Sequence, residues 1–528
     1  MNLTEYPYPS TRKVVLGHKG AVATSQPLAS VAGIEMLLAG GNAVDAALAM
    51  AIALTVVEPT SNGIGGDAFA LVWDGRLHGL NASGMSPSAL DYDTFASEGK
   101  VPVRGWLPVT VPGAPSAWRA LSDRFGKLPF EQLFAPAIRY AEEGFPVSPE
   151  TAGAWRRSAN VYQSLEGKCF EPFKKVFFPL GRGPNTGEIW NSHPHARTLR
   201  EIASTGAESF YSGNLANQMA QFAADTGGYL SLDDLKNHRS DWVEPISLKY
   251  RGLEVYQIPP SGQGIAALMA LGILQGFDLS KFPRDSAESF HWQIEAMKLA
   301  FADAERHVAD PRFMTVSTNT FLDETYLASR RKLVGEAAAV PETGIPKGGT
   351  VYLCAADGEL MVSFIQSNYM GFGSGVLVDG TGIALQNRGS GFTLEARHPN
   401  QYAPAKRPFH TIIPGFLTQG GKPLGPFGVM GGHMQPQGHV QVVVNLADYE
   451  MNPQAALDAP RWQWIKGKEV QLESSVPEQV TTGLRERGHT IEASAARTFF
   501  GRGQMILRDG ETLVAASETR ADGLAIVL

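Results

Sequence analysis

The sequence predicts an α+β protein, in which helices and strands concentrate in different parts of the chain. Two observations favour this fold class. The middle of the chain, from about Pro112 to Lys332, carries its apolar residues mainly at helical spacing. The part that begins at Thr350 instead shows short strand-like runs separated by turn residues. The 57 glycines and 34 prolines indicate many tight turns and argue against a single long helical bundle.

Composition excludes several classes of partner. Of the 528 residues, 43% are hydrophobic and 18% are charged, which is typical of a soluble globular protein, and the formal net charge is -7. Nucleic acids and anionic membranes favour basic surfaces, and the sequence has no basic run, so we expect neither as a partner. The most apolar stretch, residues 46–57, is shorter than the roughly 20 apolar residues that span a bilayer.

The N-terminal residues and the cysteines indicate a cytoplasmic protein. The first residues lack the basic and apolar regions of a secretory signal. The two cysteines, Cys169 and Cys354, are too few for a disulfide framework, and neither belongs to a CxxC pair. We therefore expect thiols in a reducing compartment, with one structural disulfide as the alternative. The length alone would accommodate roughly three average domains.

Two helices and a glycine-rich loop are predicted near the start of the chain. The helices cover residues 28–38 and 43–56, and Asn42 is the expected N-cap of the second. The loop covers residues 58–67 and leads into a strand at residues 68–73. It lacks the Lys-Ser/Thr end of a phosphate-binding loop and precedes a strand. We therefore expect a tight structural loop near the functional site, with a phosphate site as the weaker alternative.

The middle region is predicted to be mostly helical and to end in an exposed linker. A β element at residues 246–257 and a sharp loop at residues 259–264 interrupt the helices. Residues 335–349 are rich in Gly, Pro and Ala and have little to bury. We expect this linker to be exposed, as segments that are cut during maturation usually are. The predicted helices are residues 113–125, 130–143, 197–205, 214–225 and 287–309.

A β-hairpin is predicted directly after the linker. Its arms are residues 350–355 and 360–366, and Asp357-Gly358 forms the turn between them. Thr350 would then open a strand immediately after an exposed segment.

Thr350 is the candidate nucleophile. A threonine hydroxyl is a poor nucleophile at neutral pH, but the free α-amino group of an N-terminal threonine can act as its base. That amine has an unperturbed pKa of about 7.7–8.0, which suits proton transfer at neutral pH. An internal threonine gains such an amine only when the preceding bond, here Gly349–Thr350, is cut. A Gly-Gly-Thr sequence before a strand is also typical of a plain turn, so this pattern leaves both interpretations open.

A series of short motifs runs along the chain in a fixed order. They are Ala32-Gly33, residues 40–47, Glu58-Pro59, and residues 63–66, 111–113, 259–262, 367–368, 372–375, 406–408, 431–432, 451–453 and 458–461. Together they resemble the γ-glutamyltranspeptidase family over nearly the whole chain. Each motif is weak alone, but the ordered set is specific.

This resemblance implies a four-layer αββα N-terminal-nucleophile hydrolase sandwich with an added helical region. It implies self-cleavage before Thr350, which gives a large subunit of residues 1–349 and a small subunit of residues 350–528. Both subunits would contribute to one interleaved catalytic core, and this pair could itself form a dimer. The resemblance implies no cofactor.

The resemblance also implies that Gly431 and Gly432 offer their backbone N–H groups to the tetrahedral oxyanion. Backbone donors are rigid, and glycine permits close approach of a substrate. A plain turn is the alternative for this pair. Asn368 corresponds to a polar residue beside the nucleophile, where it would orient the α-amino group or the substrate.

The chain departs from the transpeptidase pattern where that family binds the γ-glutamyl head group. Residues 387–392 read Asn-Arg-Gly-Ser-Gly-Phe in place of a motif like Asn-Gln-Met-Asp-Asp-Phe, so both acids are lost and Arg388 is gained. Residues 83–87 match the motif that carries the family's carboxylate-binding arginine, but they contain no arginine. A Ser-Ser pair of the family corresponds to His410 and Thr411.

These departures predict a different substrate pocket. Arg388 suits an acyl group that carries its own carboxylate, which it would hold as a bidentate pair. A surface ion pair is the alternative for Arg388. His410, Thr411 and His433 are the other predicted substrate-binding residues. We expect no metal at His433 and His439, because no third ligand motif accompanies them and the family needs no metal.

Oxamate is the predicted substrate. Residues 428–439 are similar to the branch of the family that holds oxamate amidohydrolases and cephalosporin-acylase-like proteins. Oxamate is an amide with a carboxylate on the neighbouring carbon, so it would use Arg388 as the cation and Thr350 as the nucleophile, giving oxalate and ammonia. The alternatives are a γ-glutamyltranspeptidase or glutathione hydrolase, a glutaryl- or cephalosporin-type acylase, and an unprocessed, inactive binding scaffold.

Overall fold

The structure is a computed structural model that describes residue 8 and residues 12–340, 349–494 and 497–528. In chain order its strands are β1 (Val15–Gly17), β2 (Gly20–Thr24), β3 (Asp67–Trp73), β4 (Leu77–Asn81), β5 (Phe145–Pro146), β6 (Ile189–Trp190), β7 (Asp241–Val243), β8 (Ile246–Tyr250), β9 (Leu253–Gln257), β10 (Gly349–Asp357), β11 (Met361–Tyr369), β12 (Gly415–Gln419), β13 (Lys422–Met430), β14 (Trp462–Lys466), β15 (Glu469–Glu473), β16 (Thr490–Ser494), β17 (Arg502–Asp509), β18 (Thr512–Ser517) and β19 (Leu524–Val527).

Helices alternate with these strands along the chain and crowd the region between β4 and β7. They are α1 (Pro27–Leu38), α2 (Ala43–Val57), α3 (Tyr92–Phe95), α4 (Ala114–Phe125), α5 (Ala135–Glu143), α6 (Pro149–Gln163), α7 (Glu171–Phe177), α8 (His193–Ser204), α9 (Glu208–Ser212), α10 (Asn214–Thr226), α11 (Leu232–Asn237), α12 (Gly264–Leu274), α13 (Ala287–His307), α14 (Thr318–Leu322), α15 (Glu324–Arg331), α16 (Met434–Ala447), α17 (Pro453–Asp458) and α18 (Glu478–Glu486).

Two large antiparallel sheets, each with seven strands among the described residues, form the centre of the fold. One has the order β1-β18-β17-β13-β12-β9-β8 and the other β19-β2-β10-β11-β3-β4-β7. The sheets pack face to face, with β10 of one against β13 and β17 of the other. Both sheets mix strands from before and after residue 349, so cutting the chain there would leave a single shared core.

Helices cover the outer face of each sheet. Helices α1 and α2 lie on the sheet that contains β10, and α12 and α16 lie on the sheet that contains β13. The predicted αββα sandwich is therefore confirmed. Helices α4 to α11 extend beyond α2 and account for the predicted added helical region. A smaller sheet, β14-β15-β16, flanks the sandwich.

Helix α2 shows how local sequence sets an element of this core. Asn42 accepts hydrogen bonds from the N–H groups of Val44 and Asp45, both at 3.0 Å, and Asp45 completes a capping box, so the predicted N-cap is confirmed. Every residue of α2 is buried. A helix that is apolar on all sides needs partners on all sides, and α2 lies between β10 and helix α5.

Most other predicted elements also lie close to their observed positions. The predicted helix at residues 130–143 is a short 3-10 helix followed by α5, and the β element at residues 246–257 is the β8–β9 hairpin. The hairpin predicted after the linker is β10–β11. Of the linker, residues 341–348 lie outside the described residues, and the preceding residues 335–340 are exposed except for Ala338. None of the described helices is long and apolar enough to cross a membrane.

Candidate active site

Thr350 lies at the start of β10, where the pairing between β10 and β11 is irregular. Its side chain is fully buried. Its Oγ accepts a hydrogen bond from Gln435 Nε2 at 3.2 Å and lies 3.5 Å from Ser367 Oγ on β11. These neighbours hold the hydroxyl in a fixed position, which the chemistry of a nucleophile requires. Gln435 and Ser367 were not among the predicted site residues.

The main chain of Thr350 is held by an ion pair between half-buried Arg502 and buried Glu58. Arg502 donates to the Thr350 carbonyl oxygen at 3.3 Å and to Glu58 Oε1 at 3.1 Å. Ser25 donates to the other Glu58 carboxylate oxygen at 2.5 Å. Burial raises the pKa of Glu58, and the charge of Arg502 opposes that rise. Sequence reasoning missed Arg502 because it lies 152 residues from Thr350 and no local pattern marks it.

The predicted glycine pair is connected to this hydroxyl through Gln435. Gly431 and Gly432 follow β13, and their φ angles of 137° and 61° are in the region that favours glycine. Gln435 connects them to Thr350, because its N–H donates to the Gly432 carbonyl oxygen at 3.1 Å while its side chain donates to Thr350 Oγ. Neither glycine N–H has an acceptor within the described ranges. Two such donors next to a buried hydroxyl can form an oxyanion hole.

Asn368 lies next to Ser367 on β11 and packs against the glycine-rich loop. A Cβ atom added at Gly63 would lie 2.9 Å from Asn368 Nδ2, and one added at Gly66 would lie 2.9 Å from Asn368 Oδ1. The prediction of a tight structural loop near the site is thus confirmed. Asn368 Oδ1 is buried and has no hydrogen-bond partner in the described part of the chain, which leaves it available as an acceptor.

Arg388 is fully buried, and its guanidinium already has a carboxylate partner. Its Nε donates to Asp67 Oδ2 at 2.9 Å, and its Nη2 donates to Asp67 Oδ1 at 3.3 Å. Its Nη1 donates to Thr411 Oγ1 at 2.8 Å, and the guanidinium stacks on Tyr369 at 4.3 Å from the ring centre. Arg388 therefore forms with Asp67 the bidentate pair that we predicted it would form with a substrate carboxylate. The ion pair that we weighed as the alternative exists, but it is buried rather than on the surface.

His410 completes this buried network. Its Nε2 lies 2.5 Å from Asp67 Oδ2, and the Ile412 N–H donates to its Nδ1 at 3.4 Å. Because a carboxylate only accepts, the imidazole proton belongs on Nε2. Burial and the charge of Arg388 lower the pKa of His410 to about 4, so the ring is neutral at neutral pH. Burial raises the pKa of Asp67, but the charge of Arg388 and the hydrogen bonds from Arg388 and His410 outweigh it and hold that pKa below its ordinary value.

A cleft of about 650 Å³ opens beside this network. Its lining includes Tyr369, which is the strand partner of Gly349 at the start of β10, whereas Thr350 itself is not among the lining residues. His433 also lines the cleft and stacks on Phe409 at 6.0 Å between ring centres. Burial and the charge of Arg388 lower the pKa of His433 to about 3. Of the predicted substrate-binding residues, His433 is the one whose side chain borders the cavity directly.

Both ring nitrogens of His439, one of the two histidines near residue 435, have partners in the protein core. His439 Nε2 accepts the Val429 N–H at 3.2 Å, and its Nδ1 lies 3.0 Å from Gln257 Nε2. His439 is therefore a structural residue of the core. Within the described ranges, three ligand-type side chains come together at a different place, formed by His291, Glu295 and His489.

The chain matches one known family over nearly its whole length. The family model described as Gamma-glutamyltranspeptidase covers residues 29–528. The chain belongs to the γ-glutamyltranspeptidase family. N-terminal-nucleophile hydrolases of this family act on amide bonds.

Relatives of this family member carry different names. It is 35% identical to the glutathione hydrolase-like YwrD proenzyme of Bacillus subtilis, over 97% of this chain and 99% of that protein. It is 33% identical to the oxamate amidohydrolase proenzyme of Klebsiella pneumoniae, over 96% of this chain and 98% of that protein. The crystal structure of a cephalosporin acylase from Bacillus halodurans matches with a TM-score of 0.95 and 53% identity, covering 100% of this chain and 99% of that one.

Replacing Gln435 with methionine should slow amide hydrolysis about fivefold to tenfold. The change removes the hydrogen bond to Thr350 Oγ, worth about 1 kcal/mol, and keeps a similar side-chain volume. It also removes the Oε1 atom that accepts the Ile413 N–H at 2.9 Å, a bond that lies outside the reacting groups. The measurement is kcat for release of the amine from the best amide substrate. Gln437→Met is the matched control, because Gln437 is a buried neighbour on α16 that bonds the main chain of Trp464 and of His433 instead of Thr350. An equal loss of kcat in both variants would refute a specific role for Gln435.

Proposed function

We propose that the chain is a self-processing amidohydrolase whose nucleophile is Thr350. The observation that carries this proposal is the position of Gln435, which bonds both the Thr350 hydroxyl and the Gly431–Gly432 turn. The side chain of Gln435 thus binds the buried nucleophile, while its main-chain N–H binds the turn that carries the two backbone donors. The proenzyme names of the curated relatives support cleavage of a precursor.

Maturation begins with attack of Thr350 Oγ on the carbonyl carbon of Gly349. The Gly349–Thr350 C–N bond breaks as an ester to Oγ forms, and the hydroxyl proton passes to the released α-amino group. Water then hydrolyses the ester, which restores the hydroxyl and leaves a carboxylate on Gly349. The products are residues 1–349 and 350–528, with masses of about 37 and about 19 kDa when the 56.8 kDa chain is divided by length.

In the mature enzyme the new α-amino group takes the hydroxyl proton as Thr350 Oγ attacks the substrate amide. The N–H groups of Gly431 and Gly432 stabilise the oxyanion of the tetrahedral intermediate. The proton then passes to the leaving amine, and an acyl ester remains on Thr350. Water hydrolyses that ester by the same route. In this mechanism Asn368 Oδ1, which has no partner within the described part of the chain, accepts a hydrogen bond from the α-amino group.

The preferred substrate class is an amide with a carboxylate-bearing acyl group larger than that of oxamate. A cleft of about 650 Å³ falls in the range of pockets that take drug-sized ligands, roughly 300–1,000 Å³. Oxamate would fill a small part of it. The pairing of Arg388 with Asp67 also weakens the case for oxamate, because a neutralised guanidinium attracts a carboxylate less strongly. The 53% identity to the cephalosporin acylase structure favours the same class.

Oxamate hydrolysis is the second candidate function. It is supported by the 33% identity to the oxamate amidohydrolase proenzyme. Two N–H groups of Arg388, one on Nη1 and one on Nη2, remain beyond its bonds to Asp67 and Thr411, and they are the proposed donors to the oxamate carboxylate.

Arg306 is the proposed partner for the carboxylate of a longer acyl group. It lines the cleft, is exposed and has no acidic partner among the described residues. The other arginine of the cleft, Arg330, is paired with Asp303. Arg306 therefore offers the cleft a positive charge that no described acidic side chain pairs with.

Glutaryl amides should accordingly be hydrolysed with a higher kcat/KM than oxamate or a γ-glutamyl anilide. Arg306→Met should raise KM for the glutaryl amide about fivefold without changing kcat, because one exposed ion pair is worth at most about 1 kcal/mol. The butyryl amide, which lacks the carboxylate, is the matched control and should respond equally in both proteins. A higher kcat/KM for oxamate would instead support the second candidate.

The test of self-processing is the intact mass of the purified protein under denaturing conditions. Two species, one of which begins at Thr350, are the expected result. A single full-length mass that persists on long incubation would refute the proposal and would favour the binding-scaffold alternative.

A further inference from the structure

A buried polar cluster lies outside the active site on one face of α13. His291, Glu295 and Lys298 follow one another at helical spacing, and all three are buried, with exposed fractions of 0%, 2% and 1%. Lys298 Nζ lies 2.7 Å from Glu295 Oε1. None of the three lines the cleft or contacts Thr350. The proposed hydrolysis therefore leaves this cluster without a role.

The polar atoms of this cluster bind the main chain of the linker. His291 Nε2 lies 2.8 Å from the Gly335 carbonyl oxygen. The Ala339 N–H donates to Glu295 Oε2 at 3.1 Å, and Lys298 Nζ donates to the Ala339 carbonyl oxygen at 3.1 Å. Contacts with main-chain atoms hold the position of the segment regardless of its side chains.

Residues beyond Thr350 hold the same segment from the other side. The Ala338 N–H donates to the Arg487 carbonyl oxygen at 2.7 Å. His489 Nε2 lies 2.9 Å from His291 Nδ1. The end of the described linker is thus fixed between α13 and the turn after α18.

A bound metal ion is not the best explanation of this cluster. The ligand atoms of His291, Glu295 and His489 lie within 4.8 Å of one another, as a metal site would need. However, the Lys298 ammonium already supplies the positive charge opposite Glu295, and a dication would be repelled by it in a buried site. A buried ion pair is also often no more stabilising than apolar residues of the same volume, so fold stability does not account for it either.

We propose that His291, Glu295 and Lys298 form a linker clasp that positions the chain for its own cleavage. This inference rests on the proposed cleavage before Thr350. The clasp ends at Ala339, ten residues before Gly349. Fixing one end of so short a segment reduces its conformational freedom and raises the fraction of time in which the Gly349 carbonyl lies against Thr350 Oγ. The three residues are positioning residues, because they contact neither the scissile bond nor the nucleophile.

The test replaces the buried ion pair with apolar residues of similar volume, as Glu295→Leu/Lys298→Met. This exchange removes both carboxylate oxygens of Glu295 and the Nζ of Lys298, and with them the two hydrogen bonds to the main chain of Ala339. The free energy of unfolding should change little, because neither charge of the pair is left in the interior without its partner. The full chain is made by cell-free synthesis, and the precursor fraction is followed over time by denaturing intact mass. We expect cleavage to be slowed about tenfold, which corresponds to the loss of two hydrogen bonds. The mature variant should keep the wild-type kcat and KM.

Ser289→Ala is the matched control. Ser289 is a buried residue of α13 that bonds Tyr449 rather than the linker, so this variant should mature at the wild-type rate. Cleavage of the double variant at the wild-type rate would overturn the clasp, and so would a slowed cleavage matched by an equal fall in the kcat of the mature enzyme. A wild-type chain that is never cut would overturn the proposed function itself, and the clasp with it.

Discussion

Replacing Thr350 with alanine is expected to give a full-length chain that releases no amine from any amide substrate. The variant lacks the hydroxyl that attacks Gly349 and the substrate, so both maturation and hydrolysis lose their nucleophile. Loss of a nucleophile typically costs several powers of ten in kcat. Denaturing intact mass measures the first effect, and amine release measures the second. The change removes few atoms from a site held by surrounding strands, so the fold should persist.

Thr350→Ser is the control for this prediction. Serine keeps a hydroxyl at the same position, so this variant should be cut at the same bond, although more slowly because serine has more rotamer freedom than threonine. Cleavage of Thr350→Ala between residues 349 and 350 would show that the nucleophile has been misassigned. A cut alanine variant that still hydrolyses amides would refute the mechanism as a whole.

Replacing Arg388 with alanine is expected to destabilise the protein by about 3–5 kcal/mol. Both members of the Arg388–Asp67 pair have no exposed surface, and removing one leaves an uncompensated charge in the interior. Thr411 would also lose the hydrogen bond that it accepts from Arg388, and the Asp67 carboxylate that His410 contacts would lose its cationic partner. Urea unfolding measures the change in the free energy of unfolding. Both proteins should carry Thr350→Ala, so that only uncut chains are compared.

The double variant Asp67→Asn/Arg388→Met distinguishes this structural role from substrate binding. It removes both charges and keeps an acceptor for His410, so it should recover much of the stability that Arg388→Ala loses. If Arg388→Ala instead unfolds like the parent and only raises KM, then the interpretation from sequence, in which Arg388 holds a substrate carboxylate, is the better one.

Sequence patterns predicted the elements whose formation depends on local residues. The N-cap at Asn42 and the fully buried α2 follow from a polar residue placed before a long apolar run. The hairpin of β10 and β11 follows from two apolar arms around the Asp357-Gly358 turn. Helix α6 was not predicted, since polar residues occupy most of its positions and leave a weak periodic signal. The ordered motifs also marked the glycine pair, which Gln435 connects to Thr350 in the structure.

The sequence by itself therefore determined the family, the fold class and the position of the candidate nucleophile. Only the tertiary structure decided which groups surround that nucleophile and which charges are paired. Arg388 meets Asp67 across 321 residues, and Gln435 meets Thr350 across 85. Such contacts are set by strand register and by the packing of two sheets, and no local periodicity encodes them. The sequence does not show that Arg388 is paired, because its partner is distant along the chain. Burying a charge without a partner costs much free energy, so a buried arginine is paired with an acidic residue that the fold brings next to it.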